Sequence, residues 1–588
     1  MVYSFMVLNY RDKIIYFLFL FPFLVFSFFY FDNAGGQGFF VSINVFFIIA
    51  LSFLLLKLTA FSLITKLYLV RVSYLTISLS LFLFVLVVFS VFSEGYERKV
   101  SIFVCLFLGL TLLFSLVFDL YELDTNACFR YLTKVTLIAG FFMAIIGILQ
   151  VSGISLSHYY IDLDYLRPVG VVQQVNVHAV LMVFYLHLLL IYSIFNHSDK
   201  LFSAAYYLIL LLLVCAFSFN VGVSGSRVAL LSYIIGLVFL FLLFKNLIKA
   251  SLKTVFSCVL VSIIFVAFGI FYSGVLDLIA AKASSMNSGS DIRIHLYKIS
   301  YELVSNMDLF GYGLSSFQRV FQDAAAYYQL NTSLDSVIGD VKYTHPHNEL
   351  FYWLIQIGYL GFLPFFLFLY LLYLSYVSSK NNFKVAIYLL IPFSLHMMLE
   401  LPFYLSHYVW FLLILVLIFA TKDMKKVEVK LSNSFASFFN LICFLFSAIA
   451  FLFSIHSAFS LKGISEKIVG NDSKYINYAL NNYYFSDVTY HLVQRDYIFL
   501  SDLNVYDIEN FITFAENRLL YTPDILLFSD LIQAYYRLDK HDSAERVYKR
   551  ALYLYPNQQL IKRKWQQLYD INERLEEESV EEIGKSGS

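Results

Sequence analysis

The sequence predicts an all-α polytopic membrane protein, with about 12–13 transmembrane helices, a large extracytoplasmic loop and a soluble helical tail. Three observations predict it. The 588 residues are 60% hydrophobic and only 14% charged, with a mean hydropathy of +0.73. Apolar runs of about 20 residues, enough to cross ~30 Å of hydrocarbon, recur along most of the chain. Lys and Arg gather in every second loop between them, as cytoplasmic loops do.

The runs lie at about 14–31, 38–56, 73–93, 101–119, 134–152, 178–195, 203–220, 228–244, 254–273, 350–374, 384–401, 403–421 and 436–456. The first lacks a small-residue cleavage pattern and is expected to be a retained helix, not a signal peptide. Arg11 and Lys13 put the N-terminus in the cytoplasm. The loops holding Lys57, Lys66 and Arg71, then Lys245, Lys249 and Lys253, then Lys380 and Lys384, then Lys422, Lys425, Lys426 and Lys430 fall on the same side. The loops at about 153–177, 221–227, 274–349 and 401–406 are then extracytoplasmic, as is everything after about 457.

Two units follow: a membrane domain over 1–456, with its large loop at 274–349, and a helical tail over 457–588. In the tail, Asp530 to Pro556 reads as helix–turn–helix. Tyr535, Ala544, Tyr548, Ala551 and Pro556 match the spacing of a tetratricopeptide repeat, and a small self-packed helical domain fits as well. The end, Glu576 to Ser588, is acidic and reads as frayed.

Composition also excludes. Lys+Arg and Asp+Glu are both 41, so net charge gives no sign of a nucleic-acid partner. The five cysteines are scattered, with no metal or disulfide spacing. No cofactor is expected.

Five polar constellations fall on the extracytoplasmic side. In Arg167-Pro-Val-Gly-Val-Val-Gln-Gln-Val-Asn176, Pro168 and Gly170 turn the chain, and Gln173, Gln174 and Asn176 put amides at the membrane edge, followed by His178. An ordinary polar turn reads the same. Gly222-Val-Ser-Gly-Ser-Arg227 lets a backbone approach closely. Arg227 then offers a bidentate fork for a diphosphate, or a snorkelling anchor. Asp291-Ile-Arg-Ile-His-Leu-Tyr297 opens a helix to about Met307, with Arg293 and Tyr297 on one face, and Phe310-Gly-Tyr-Gly313 turns the chain.

Fourth is His345-Pro-His-Asn-Glu349, a polar cluster that is costly to keep dry. Pro346 stiffens the approach and separates the imidazoles. Two histidines two apart suggest a metal, but no third ligand has clear spacing. A histidine that takes a proton from a hydroxyl is the better chemistry, with Asn348 or Glu349 orienting it. Fifth, His396 and Glu400 stand four apart, ahead of Tyr404 and His407. They read as a His–carboxylate pair on one helix face, functional or a structural interhelical bond.

These motifs resemble, in order and spacing, those of the O-antigen ligase/polymerase superfamily, and most closely bacterial protein O-oligosaccharyltransferases of the PglL type. Arg167 through Asn176 is similar to that family's Arg-Pro-x-Gly…Gln-Pro-Asn loop. Ser224-Gly-Ser-Arg227 resembles its Ser-Arg motif, and Arg293 through Gly313 its Arg…Trp…Gly-x-Gly loop. His345-x-His-Asn348 resembles its His-x-His-Asn signature, and His396…Glu400-x-Pro402 its His…Glu-Tyr-Pro ending. Val175 stands where that family has proline, and Tyr297 where it has tryptophan. The tail is similar to that of protein-glycosylating members.

The resemblance implies en bloc transfer of a glycan from undecaprenyl diphosphate to Ser or Thr of an exported protein such as pilin, in the periplasm of a Gram-negative inner membrane. It implies His347 as base, Arg227 and Arg293 on the diphosphate, and no metal. Arg167, Gln174, Asn176, Tyr297, His345, Asn348, Glu349, His396, Glu400 and Tyr404 would line the substrates or orient neighbours. An O-antigen ligase acting on lipid A–core or a polymerase is the alternative. A flippase predicts internal repeats, and no such symmetry is visible.

Overall fold

The computed structural model describes residues 38–66, 71–121, 125–153, 167–196, 204–274, 292–332, 338, 341–429, 432–468, 470, 473–498 and 505–570. The expected run at 14–31, with Arg11 and Lys13, lies outside the described residues, as do Asp291 and the acidic end.

The chain is an all-α polytopic membrane protein. Its helices are α1 (Ser42–Thr65), α2 (Tyr74–Phe92), α3 (Gly95–Tyr121), α4 (Thr125–Val151), α5 (Val175–Asn196), α6 (Ala204–Ser224), α7 (Arg227–Ile248) and α8 (Leu252–Tyr272). Next come α9 (Ile292–Asn306), α10 (Phe317–Asn331), α11 (Glu349–Ile357), α12 (Leu363–Ser378), α13 (Lys380–Met397), α14 (Pro402–Leu405), α15 (His407–Thr421) and α16 (Asn433–Ile468). Among the described residues ten helices are long and apolar enough to cross a membrane, counting Glu349–Ser378 as one, and α15 is a shorter apolar helix. Every expected run from 38–56 onward has its helix. The last one runs on past the expected end at 456, to Ile468.

Serine and asparagine set the starts. Ser73, Ser226, Asn348, Ser379 and Ser406 each accept a backbone N–H from the first turn of the helix they precede. That satisfies donors left over at a helix N-terminus. Helix α5 is the centre of the bundle, with nearly all of its span buried. Tyr185 on α5 and Tyr408 on α15 share a hydroxyl hydrogen bond of 2.7 Å. Helices α6 and α8 touch backbone to backbone: a Cβ at Gly222 would lie 2.2 Å from the Val266 carbonyl oxygen. The close approach expected of the Gly222 motif is thus made to another helix.

Because the helices alternate in direction, the breaks at 93–94, 225–226, 398–406 and the start of α5 all fall at one end of the bundle. The basic loops fall at the other. There a two-residue antiparallel ladder departs from the all-helical pattern, pairing Arg71 with Glu428 and Val72 with Val427. Buried Asp119 locks it, accepting from the Ser73 backbone and the Thr76 hydroxyl, with Lys426 at 3.0 Å.

The tail contributes α17 (Ile476–Leu480), α18 (Ser486–Ile498), α19 (Val505–Leu519), α20 (Ile525–Arg537) and α21 (His541–Leu554), followed by helical residues 559–570. Phe511, Leu531, Ile532, Ala544, Ala551 and Tyr555 form its core, which also takes in Ala326 of α10. Salt bridges fasten it to the loop and to the start of α3: Arg550–Asp323 at 2.5 Å, Lys342–Asp524 at 3.0 Å and Lys99–Asp487 at 2.6 Å.

Candidate functional site

Glu400 is the hub. Helix α13 ends at Met397, and the Glu400 backbone N–H donates to the His396 carbonyl. The carboxylate is 3% exposed. Its Oε1 accepts from Arg293 Nη2 at 2.9 Å and from Asn176 Nδ2 at 3.4 Å. Its Oε2 lies 2.8 Å from His347 Nδ1 and 3.5 Å from His345 Nε2. Segments from α5, α9, the histidine loop and the α13–α14 turn therefore meet on one side chain. A buried charge this well partnered is tolerable where an isolated one is not.

Each group is held by its own scaffold. Arg293 and Tyr297 share a face of α9. The Tyr297 hydroxyl lies 3.0 Å from two backbone carbonyls, those of His347 and Met398, and its single proton is shared between them. Asn348 donates to the same Met398 carbonyl, and its side-chain oxygen accepts from the Leu350 and Phe351 N–H groups that open α11. His347 has φ +54, a left-handed conformation uncommon for a residue with a Cβ. Strain of this kind gathers at functional sites, where the surroundings enforce it.

The Gly-Tyr-Gly turn after α9 docks on the end of α11. Tyr312 and Gly313 N–H donate to the Ile355 and Gln356 carbonyls, and Tyr359 N–H to that of Leu309. Gly311 and Gly358 touch there: a Cβ at Gly311 would lie 2.4 Å from the Gly358 nitrogen.

The electrostatics follow from the geometry. Burial pushes the Glu400 carboxyl up. The hydrogen bonds from His345 and His347 and the charge of Arg293 outweigh that and hold it well below the usual carboxylate range. It is ionised, so His347 Nδ1–H donates to it. With its single ring proton placed there, the imidazole presents its lone pair at Nε2. His347 is 27% exposed. Burial holds the His345 imidazole below its ordinary value, against the pull of Glu400, so His345 is uncharged at neutral pH. Its Nδ1 lies 3.1 Å from the Thr344 hydroxyl.

The structure corrects three expected relations, those of His347, His396 and Pro346, and locates the other residues. Glu400, not Asn348 or Glu349, orients His347. His396 does not pair with Glu400, because the helix stops between them; neither of its ring nitrogens has a hydrogen-bond partner. Pro346 does not separate the imidazoles, whose ring centres lie 4.3 Å apart. Gln174 caps α5, its side-chain oxygen accepting the Val177 N–H. Tyr404 packs on Tyr352, ring centres 4.8 Å apart, behind the histidine loop. The third metal-ligand type that spacing did not supply is present: atoms of His345, His347 and Glu400 lie within 4.8 Å of one another. Those three could hold a cation, though Arg293 already meets the Glu400 charge.

Arg167 and Arg227 belong to a neighbouring part of this end. Arg167 Nε donates to the Ser224 carbonyl, in the turn that precedes Arg227 and α7. Gln150, which sequence reasoning passed over, holds the Arg167 loop: its side-chain oxygen accepts from Val169 and Gly170 N–H at 3.0 and 2.8 Å. Asn220, also passed over, lies 3.0 Å from His178 Nε2. Both are amides within or at the end of apolar runs, a signal that was legible. Gln322 was missed too. It accepts the Tyr343 N–H at the start of the histidine loop and donates to the Leu554 carbonyl of the tail.

The fold and the site define a multi-pass membrane protein with an arginine–carboxylate–imidazole cluster at one end of its helix bundle. Residues 208–366 match the family described as O-antigen ligase, and residues 385–569 match virulence factor membrane-bound polymerase, C-terminal. The two matches cover separate parts of the chain and support the superfamily of membrane O-antigen ligases and polymerases, whose members are glycan-transferring membrane enzymes. No curated protein matches it.

Proposed function

We propose that the protein moves an oligosaccharide en bloc from undecaprenyl diphosphate to Ser or Thr hydroxyls of exported proteins such as pilin, at the periplasmic face of the inner membrane. The observation that carries it is the Glu400–His347 hydrogen bond beside Arg293. His347 Nε2 takes the proton of the acceptor hydroxyl as its oxygen attacks the anomeric carbon. The bond from that carbon to the diphosphate oxygen breaks, and the diphosphate leaves with its electron pair. Arg293 and Arg227 carry the positive charge that meets the leaving group. Arg167 supports that arginine pair, and Asn176 lines the sugar side.

The tail supports a protein acceptor, since it is pinned to the loop that carries the site. The matched family descriptions favour a second reading, ligation to lipid A–core or chain extension. Co-expression with a lipid-linked glycan pathway and an exported acceptor tests the choice. A glycan mass shift on the protein is expected. A modified lipopolysaccharide ladder or longer lipid-linked chains, without that shift, would select the second reading. His347→Ala should lower transfer roughly a hundredfold or more, and unchanged transfer refutes its role as base. Loss of transfer on chelation, restored by a divalent cation, would refute a metal-free reaction.

A further inference from the structure

Glu349 follows Asn348 directly, yet takes no part in the Glu400 network. It is 3% exposed, and neither carboxyl oxygen makes a hydrogen bond of normal geometry. A buried carboxyl in that state is expensive unless something supplies a partner. It lines two adjoining cavities. The larger, about 280 Å³, descends between α2, α12, α13 and α15, from Glu349 and Met398 to Leu75 and Leu417. The smaller, about 60 Å³, shares Phe82, Trp353, Phe403 and Trp410 with it. Trp410 Nε1 and His407 Nδ1 are also buried there without a partner. The remaining walls are nearly all apolar, and exposed Phe365 stands at the rim.

We propose that the larger cavity seats the apolar chain of the lipid carrying the donor glycan, and that Glu349 positions the oxygen joining that chain to its first phosphate. This rests on the transfer reading above. Three observations support it. The cavity runs along the membrane helices α2 and α15, the direction a chain takes. Its upper wall includes Met398, whose carbonyl accepts from Tyr297 and Asn348, so its top lies one backbone segment from the polar cluster. An amphiphile lying in it passes from apolar to anionic at Glu349. As a carboxylic acid Glu349 donates one hydrogen bond to a phosphoester oxygen there, and Trp410 Nε1–H is a second donor.

The full-length enzyme in phosphatidylethanolamine–phosphatidylglycerol nanodiscs is irradiated with a diazirine-bearing polyprenyl phosphate that carries no glycan. Cross-linked peptides are then mapped by mass spectrometry. Labelling of Leu79 and Leu367, competed by unlabelled polyprenyl phosphate, is expected. Glu349→Leu should weaken binding about tenfold, and Glu349→Gln, which restores a donor, should recover most of that. Leu79→Trp, which fills the slot, should abolish labelling of Leu367. Labelling confined to the outer helix faces, or a Glu349→Leu variant that binds as tightly as wild type, overturns the inference. Slot labelling in an enzyme that transfers no glycan from any lipid-linked donor refutes the function instead. Transfer without slot labelling refutes only the seat.

Discussion

Replacing Glu400 by glutamine keeps the size of the side chain and removes its charge. Each carboxylate oxygen has one close donor, Arg293 at 2.9 Å and His347 at 2.8 Å. An amide can turn its oxygen to only one of them, and its NH₂ then faces the other donor. A hydrogen bond to a charged group contributes roughly 1.5–3 kcal/mol. The Arg293 pair is 24% exposed on the arginine side, so solvent screens it to about 1 kcal/mol or less. The sum, about 3 kcal/mol, corresponds to a rate loss of roughly a hundredfold. The loss belongs mainly in kcat, because the His347 bond matters most as the imidazole gains its proton. Proteoliposomes supplied with lipid-linked glycan and a purified acceptor separate kcat from KM. Glu400→Asp keeps the charge but reaches only one donor, and should fall between. A Glu400→Gln enzyme with kcat within about threefold of wild type would refute the hub role.

Other outcomes follow from the same geometry. Tyr297→Phe removes the hydroxyl between the His347 and Met398 carbonyls, and should lower kcat about fivefold to thirtyfold with little change in acceptor KM. Gly311→Ala forces a Cβ against the Gly358 backbone at φ +70. It should cost at least about 2 kcal/mol, read as a lower unfolding temperature, with transfer lost as the Gly-Tyr-Gly turn leaves α11. Burial raises the Asp524 carboxyl, but the charge and hydrogen bond of Lys342 outweigh it and hold the group down at about 2. A carboxyl depressed on folding stabilises above its unfolded value of about 4 and stops doing so as pH falls through its folded one. The tail–loop clamp should therefore weaken between about pH 4 and 2, by roughly 1–2 kcal/mol after solvent screening. Lys342→Met should reduce that pH dependence, leaving the part due to the Leu527 N–H bond, and limited proteolysis of the tail measures both.

Much of this was legible in the residues. Apolar runs of crossing length give the helices, since a backbone in hydrocarbon must satisfy its own hydrogen bonds. The four-residue spacing of Arg293 and Tyr297 put them on one face, and both do reach the site. The same spacing misled at His396 and Glu400, because it assumes the helix continues. It stops at Met397, and Glu400 turns away. The roles given to Asn348 and Glu349 erred for a related reason. Neighbours in sequence are natural candidates as partners, but Asn348 is spent on the α11 N-terminus. Gln322 offered no motif, since its partners Tyr343 and Leu554 come from separate parts of the chain.

Hydropathy, charge placement and helix capping act locally, so the membrane helices, the helical tail and the residue types at each break can be read along the chain. Packing of distant segments is what brings Arg293, His347, His345 and Asn176 to Glu400 and leaves Glu349 facing an apolar cavity. Those pairings join residues far apart in the chain. A buried carboxylate takes whichever donors the packed helices bring within hydrogen-bonding distance, and spacing along the chain carries no trace of that choice.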